Sequence, residues 1–315
     1  MRWSTEPSVV ALGGGHGLAA SLTALRSVTT DLTAVVTIAD NGGSSGRLRD
    51  EFGVLPPGDL RMALAALCGD DRWGQTWARV LQHRFESEGE MDGHSMGNLL
   101  IVTLWDLLHD HVDGLDWVAG LLGARGRVLP MALTPLDITA EVRGAGADPD
   151  EVSTVRGQVE VATTPGEVLS VALEPGDAAA CPQAVEAIGE ADWVVIGPGS
   201  WYSSVIPHLL VPGLRDALCR TPGKVIVSMN LEPHTDETRG YDLADHLDVL
   251  LRHAPDLAVH AVLVDPSAVH DGDRLRARVE AAGARLETTD LAAVQPGVHD
   301  PQKLGSAYAR LFDAN

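Results

Sequence analysis

Residues 13–17 read GGGHG, residues 40–49 read DNGGSSGRLR, and residues 197–204 read GPGSWYSS. Each run follows an apolar stretch, so each closes a buried strand. Glycines let a backbone come close to a phosphate, and a helix that starts there offers N–H donors and partial positive charge. In the first run Gly13 and Gly14 precede Gly15-x-Gly17-x-x-Ala20, a variant of the dinucleotide-binding fingerprint. His16 either contacts a ligand or projects into solvent. In the second run Asp40 stands where a dinucleotide site places the acid that holds a ribose hydroxyl. Asn41, Gly42, Gly43, Ser44, Ser45 and Gly46 follow, then Arg47 and Arg49. Backbone donors, two hydroxyls and two guanidiniums suit a phosphate or diphosphate. The bland alternative is a Gly/Ser surface loop.

The third run offers Gly197, Pro198, Gly199, Ser200, Ser203 and Ser204 as phosphate or ribose contacts, with Tyr202 placed to stack on a base. Trp201 and Tyr202 serve equally well as packing residues. Asn230 opens a fourth strand-end turn, NLEPHTDET. Between these runs, LPPGDLR places Asp59 and Arg61 at a helix start. Asp59 reads either as an N-cap or as a contact to metal or substrate hydroxyl. GHSMGNLL puts His94, Ser95 and Asn98 at the head of an apolar helix, with Ser95 as its cap. That helix start also favours an anion.

The elements that must position these runs alternate in period. Val9–Leu12 and Leu32–Ile38 read as buried parallel strands, with a helix over 18–28 between them. Helices follow from Pro57 to about Gly69, over 76–85, 95–108 and 116–126. RVLPMAL, DITAEVR and VRGQVEVAT read as a β-rich lobe over about 127–174. Helices at 182–191, 212–220, 241–254 and 273–283 then alternate with strands at 192–196, 224–230 and 259–265, and the end of the chain reads as helix. The expectation is a Rossmann-like three-layer αβα fold with a mainly parallel sheet. The chain of 315 residues is read as one domain carrying the β-rich lobe as an insertion.

A net charge of -21 argues against nucleic acid, so an anion site must be local. Cys68, Cys181 and Cys219 are scattered and form neither a disulfide framework nor a zinc pattern. No apolar run is long enough to span a bilayer, and MRWSTEPSVV lacks a signal-peptide core, so the cytoplasm is expected. GxxxxGK[ST], HExxH and GxSxG are all missing.

VVALGGGHGL, ADNGGSSGRLR, GVLPPGDLR, GHSMGNLL, RGRVLP, GPGSWYSSVIPHLLVPGL and YDLADHLDVLLRHAP occur in that order from about residue 9 to 265. Together they resemble the YvcK family of gluconeogenesis factors, in the CofD-like superfamily, most closely its actinobacterial members. The resemblance implies a nucleotide-type ligand held by Gly13 to Gly17, Asp40 to Gly46 and Gly197 to Ser200. YvcK-like proteins are associated with UDP-sugars such as UDP-N-acetylglucosamine, and with cell shape and wall synthesis on gluconeogenic carbon. The CofD enzymes transfer 2-phospho-L-lactate from a guanosine diphosphate carrier to a deazaflavin alcohol, with magnesium. The chain departs from the family at His16 (usually Thr), at Asn41 (usually Asp) and over 233–238, where the family has a Gln-Pro-Gly-Glu-Thr run.

The expectation from these residues is a binding protein for a nucleotide sugar without evident catalysis. The alternative is CofD-like transfer of a phosphorus-containing group, with Mg2+ on Asp40 and Asp59. A further alternative is an NAD-type binder using Gly15, Gly17 and Asp40. A homodimer and regulatory protein partners are compatible with the sequence, which identifies neither.

Overall fold

The computed structural model describes residues 6–314. Its strands are β1 (Ser8–Gly13), β2 (Asp31–Val36), β3 (Arg127–Pro130), β4 (Asp137–Arg143), β5 (Val152–Arg156), β6 (Glu167–Glu174), β7 (Trp193–Ile196), β8 (Lys224–Ser228), β9 (Val259–Val264) and β10 (Arg285–Thr288). Seven of them form one sheet in the order β10-β9-β8-β7-β1-β2-β3. Every pairing in it is parallel. All six residues of β1 are buried, and so are all four of β7. A strand covered on both faces needs this continuous apolar sequence rather than alternation.

The first helices are α1 (Gly15–Leu25), α2 (Gly43–Phe52), α3 (Gly58–Leu67), α4 (Arg72–Gln82), α5 (Met96–Leu108), α6 (His111–Leu122) and α7 (Gln158–Ala162). The strand order runs one way from β1 to β3 and the other way from β7 to β10. Right-handed crossovers therefore put α1 on one face, and put the helices Pro182–Glu190, Pro212–Arg220, Leu243–His253 and Gly272–Ala281 on the other. The last helix, Pro301–Asp313, returns to pack on α1. The order reverses between β1 and β7, and the carboxyl ends of those two strands form the crevice where such sheets bind ligands.

Four local readings change. Residues 43–52 form α2 rather than a loop. Its propensity is poor, since GSSG favours turns. Tertiary contacts override it, because Ser44, Ser45, Gly46 and Leu48 are buried. RVLP belongs to the main sheet, where Val36 pairs with Pro130, so the antiparallel lobe starts at Asp137. VRGQVEVAT is a strand only as far as Arg156 and then turns into α7, and the small antiparallel sheet has the order β5-β4-β6. The short strand β10 extends the parallel sheet beyond β9, where the sequence pattern had marked none.

Candidate functional site

A cavity of about 360 Å³ opens at the β1–β7 crevice. It is lined by Gly14, Gly15, His16 and Gly17 from the first turn, Gly199, Ser200, Ser203 and Ser204 from the third, and Asp59. Gln158, Val159, Ala162 and Thr163 of the insertion complete it. No lysine or arginine is among these residues. The space beside Gly15 is open, while Gly17 lies against the third turn: a Cβ there would sit 2.3 Å from the Pro198 carbonyl oxygen. The two glycine turns thus touch backbone to backbone. The Asn230 amide fixes the third turn, accepting from the Gly199 N–H (2.9 Å) and donating to its carbonyl (2.8 Å).

Helix starts fall into two groups, with and without a side-chain cap, and α3, α5, α7, Pro182–Glu190 and Pro212–Arg220 share the second group with α1 and α2. α4, α6 and the helices Leu243–His253, Gly272–Ala281 and Pro301–Asp313 each begin on an aspartate that caps them. α1 and α2 begin on Gly14 and Gly42 with no side-chain cap. Uncapped first turns leave backbone donors for another acceptor.

Two carboxylates flank these starts. Asp59 accepts from the Gly15 N–H, and its Oδ2 lies 2.5 Å from where a Cβ on Gly14 would begin. Asp59 is therefore not the cap of α3, whose N-cap is Pro57. Burial pushes its carboxyl up to about 7, and the neighbouring Asp40 adds to the shift. Asp40 Oδ1 accepts from the Gly42 N–H (2.8 Å), and its Oδ2 adjoins Gly58. A third acid, Glu237, stands behind the third turn and accepts from the Tyr202 N–H (3.2 Å). Burial raises its carboxyl to about 7, against hydrogen bonds from Ser203 and the backbone of 201–203.

Several residues read as ligand contacts are instead engaged within the protein. Arg47 donates to the carbonyls of Glu90 (3.1 Å) and Asp92 (2.6 Å). Arg49 donates to the Leu136 carbonyl (2.9 Å) and pairs with Asp137 at the root of the antiparallel sheet. Neither guanidinium faces the cavity, since α2 turns both outward. Tyr202 is buried, bonded to the Tyr241 hydroxyl (2.8 Å), and burial raises its pKa, so it is not a stacking platform. Arg61, His94 and Asn98 are buried beneath α2. Arg61 donates through Nε to Asn98 Oδ1 (2.9 Å) and also to Gln82, and burial lowers its pKa to about 10.

Ser44 is the hub of that network. Its hydroxyl accepts from the Ser95 N–H (3.1 Å) and Asn98 Nδ2 (3.1 Å), and lies 3.1 Å from His94 Nδ1. Ser44, not Ser95, therefore satisfies the start of α5; the Ser95 hydroxyl donates to Leu81 instead. Replacing Ser44 by alanine strands the buried Ser95 N–H and leaves the Asn98 amide only a longer bond to Ser45 (3.5 Å). Urea unfolding should show a loss of about 2–3 kcal/mol with an unchanged slope. An unaltered midpoint would show that α5 has another cap.

Asn41 also has a structural partner. Its Oδ1 accepts from the Val159 N–H (3.1 Å) and its Nδ2 donates to Glu160 Oε2 (2.8 Å). Sequence patterns missed Gln158, Val159, Ala162 and Thr163 because they lie far from the glycine turns in the chain. The only signal was a break in alternation within VRGQVEVAT.

Sheet order, switch-point cavity and uncapped helix starts together define a doubly wound α/β protein with its ligand crevice at the β1–β7 junction. The chain belongs to the CofD-like family, within it to the group of gluconeogenesis factors: the family model described as 2-phospho-L-lactate transferase CofD matches residues 9–299. The gluconeogenesis factor of Listeria monocytogenes is 35% identical over 269 residues, 85% of this chain and 80% of the relative. A candidate gluconeogenesis factor of Mycobacterium leprae is 49% identical over 306 residues, 96% of this chain and 85% of the relative. The crystal structure of a UPF0052 family protein from Bacillus halodurans superposes with a TM-score of 0.87 at 31% identity, covering 96% of this chain and 99% of that one. Among the described residues no helix is long and apolar enough to cross a membrane.

Proposed function

We propose that the crevice binds the diphosphate of a nucleotide sugar of the UDP-N-acetylglucosamine type, and that the bound state regulates envelope synthesis and cell shape during gluconeogenic growth. The observation that carries this reading is the uncapped glycine start of α1 in the cavity wall, with Ser200, Ser203 and Ser204 among the other lining residues. Similarity to a gluconeogenesis factor supports the physiological part.

A diphosphate here meets no fixed positive side chain, and Asp59 stands beside it. A divalent cation resolves that conflict. The donor set fits Mg2+, which takes one or two carboxylates and fills its remaining positions with water and phosphate oxygens. Asp59 and Asp40 would hold it. Among the described residues no group of three or more His, Cys, Asp or Glu could form an all-protein cage. When bound, the ion would neutralise phosphate charge. The protein's own part is to orient: the first turn of α1 offers N–H groups, the third turn offers hydroxyls, and Asp59 in its ionised form attracts the cation.

The same acid pair favours a second reading, transfer of a phosphorus-containing group in the manner of CofD, with a nucleotide leaving group in the crevice. Asn41 engages α7 rather than the acid pair, so its lack of a carboxylate does not separate the two readings.

Isothermal titration with UDP-N-acetylglucosamine is expected to show saturable binding that strengthens when Mg2+ is added. Absence of binding, alongside tight binding of a guanosine or nicotinamide nucleotide, would overturn the nucleotide-sugar reading. Release of nucleotide on adding a deazaflavin alcohol to a loaded donor would establish the second reading instead.

A further inference from the structure

The insertion reaches the crevice through one five-residue helix. α7 is tied to both walls. On one side stands Asn41, of the turn after β2, which takes the Val159 N–H on Oδ1 and gives its Nδ2 to Glu160. On the other side Gln158 Nε2 donates to the Ser203 carbonyl (3.0 Å), in the turn after β7. Between these ties Gln158, Val159, Ala162 and Thr163 form part of the cavity lining. At its root the Gly157 N–H donates to the Ile138 carbonyl of β4 (2.8 Å). Gly157 has φ +109, and a Cβ there would lie 2.1 Å from Glu160 Oε2 and 2.3 Å from Asn41 Nδ2. A side chain at 157 would occupy the space in which the Asn41–Glu160 bond forms.

The helix is too short to hold itself together, since a single turn gains little from its own hydrogen bonds. Val159 and Glu160 are exposed, so the Asn41 contacts are open to competition from water. Val161 anchors the segment in the core, while the remaining ties are a few partly exposed hydrogen bonds. Such a segment opens locally without disturbing the sheet.

We propose that α7 is a strap across the crevice, that the Asn41 amide is its latch, and that ligand enters and leaves when the latch opens. This deepens the reading of the crevice as a nucleotide-sugar site and rests on that reading for the identity of the ligand. The latch requires an amide, because position 41 must accept from an N–H and donate to a carboxylate at once. Aspartate keeps the first bond but sets two carboxylates face to face. A glutamine at 160 supplies the missing donor.

Hydrogen exchange of the ligand-free protein tests the latch directly. In N41D the amides of 158–163 should exchange on the order of tenfold faster than in the wild type. In the double variant N41D/E160Q their protection should return, with β1 and β7 unchanged in all three proteins. Stopped-flow release of UDP-N-acetylglucosamine should follow the same order: faster from N41D, restored in the double variant. Equal exchange at 158–163 in all three proteins, or acceleration spread across the sheet, would overturn the strap. If the wild type binds no UDP-N-acetylglucosamine while N41D still loosens 158–163 and the double variant recovers, the ligand assignment fails and the latch stands.

Discussion

Replacing Gly17 by alanine is expected to lower stability by about 3 kcal/mol or more, and the melting midpoint by roughly 5–10 °C. The cause is local and steric. The new methyl would begin 2.3 Å from the Pro198 carbonyl oxygen, 2.7 Å from its carbon and 2.8 Å from the Gly199 Cα. These are backbone atoms, and the Asn230 amide holds Gly199 at both its N–H and its carbonyl. The third turn therefore cannot give way as a flexible side chain would. The two glycine turns must separate, and the crevice between β1 and β7 opens with them. Gly189 is the control, because a Cβ there meets nothing within 4 Å and the residue lies in the helix Pro182–Glu190. Alanine at 189 should be neutral or stabilising by up to about 1 kcal/mol. Calorimetry on both variants decides the matter: a Gly17→Ala midpoint no lower than that of Gly189→Ala would mean the turns do not touch.

The second large effect belongs to Asp59. Its folded-state pKa of about 7 lies above the ordinary carboxylate value of 3.8, chiefly through burial and then through Asp40. A group raised in this way binds more protons in the folded than in the unfolded chain between those two values. Wild-type stability from this residue is complete below about pH 4 and is lost as pH rises to about 7. Asparagine does not titrate and still accepts from the Gly15 N–H. Asp59→Asn should therefore gain about 1–3 kcal/mol over the wild type at pH 8, and the gain should fade towards pH 5. Glu237 at about 7 and the buried His208, lowered to about 4, titrate in both proteins and cancel in the difference. The same variant should weaken Mg2+-supported binding of UDP-N-acetylglucosamine at least about tenfold, since one of two carboxylates is lost. A difference in stability that stays flat from pH 5 to 8 would show that Asp59 is an ordinary ionised acid. Greater stability with weaker binding is the pattern of a residue placed for function at a cost in stability.

The alternation of β-branched runs and amphipathic helices made the parallel sheet legible, because a strand buried on both faces has no other way to be written. The glycine turns were legible for the same reason, as each had to end such a strand. What stayed hidden is which donors each polar residue would meet. Arg47 and Arg49 read as anion ligands when residues 40–49 are taken as a loop. Once those residues wind into α2, the two guanidiniums face the 90–92 turn and the root of the insertion. The asparagines share this property. Asn41, Asn98 and Asn230 each bridge two segments by donating and accepting at once, and nothing in local spacing distinguishes such a bridge from a ligand contact. Asp59 reads from the sequence as an N-cap or as a contact to metal or substrate hydroxyl, and its link to Gly15 is a product of tertiary structure.

The crevice also has a history within each molecule's lifetime. Its walls meet at the carboxyl ends of β1 and β7, where the Gly197 N–H donates to the Leu12 carbonyl (3.0 Å). β1 and β2 can pair early, being close in sequence, whereas β7 must wait for the whole of α2 to β6 to be made. Contacts between such distant segments form late and slowly. The crevice is thus complete only after β7 has been made. Until then the glycine turn after β1 has no facing wall.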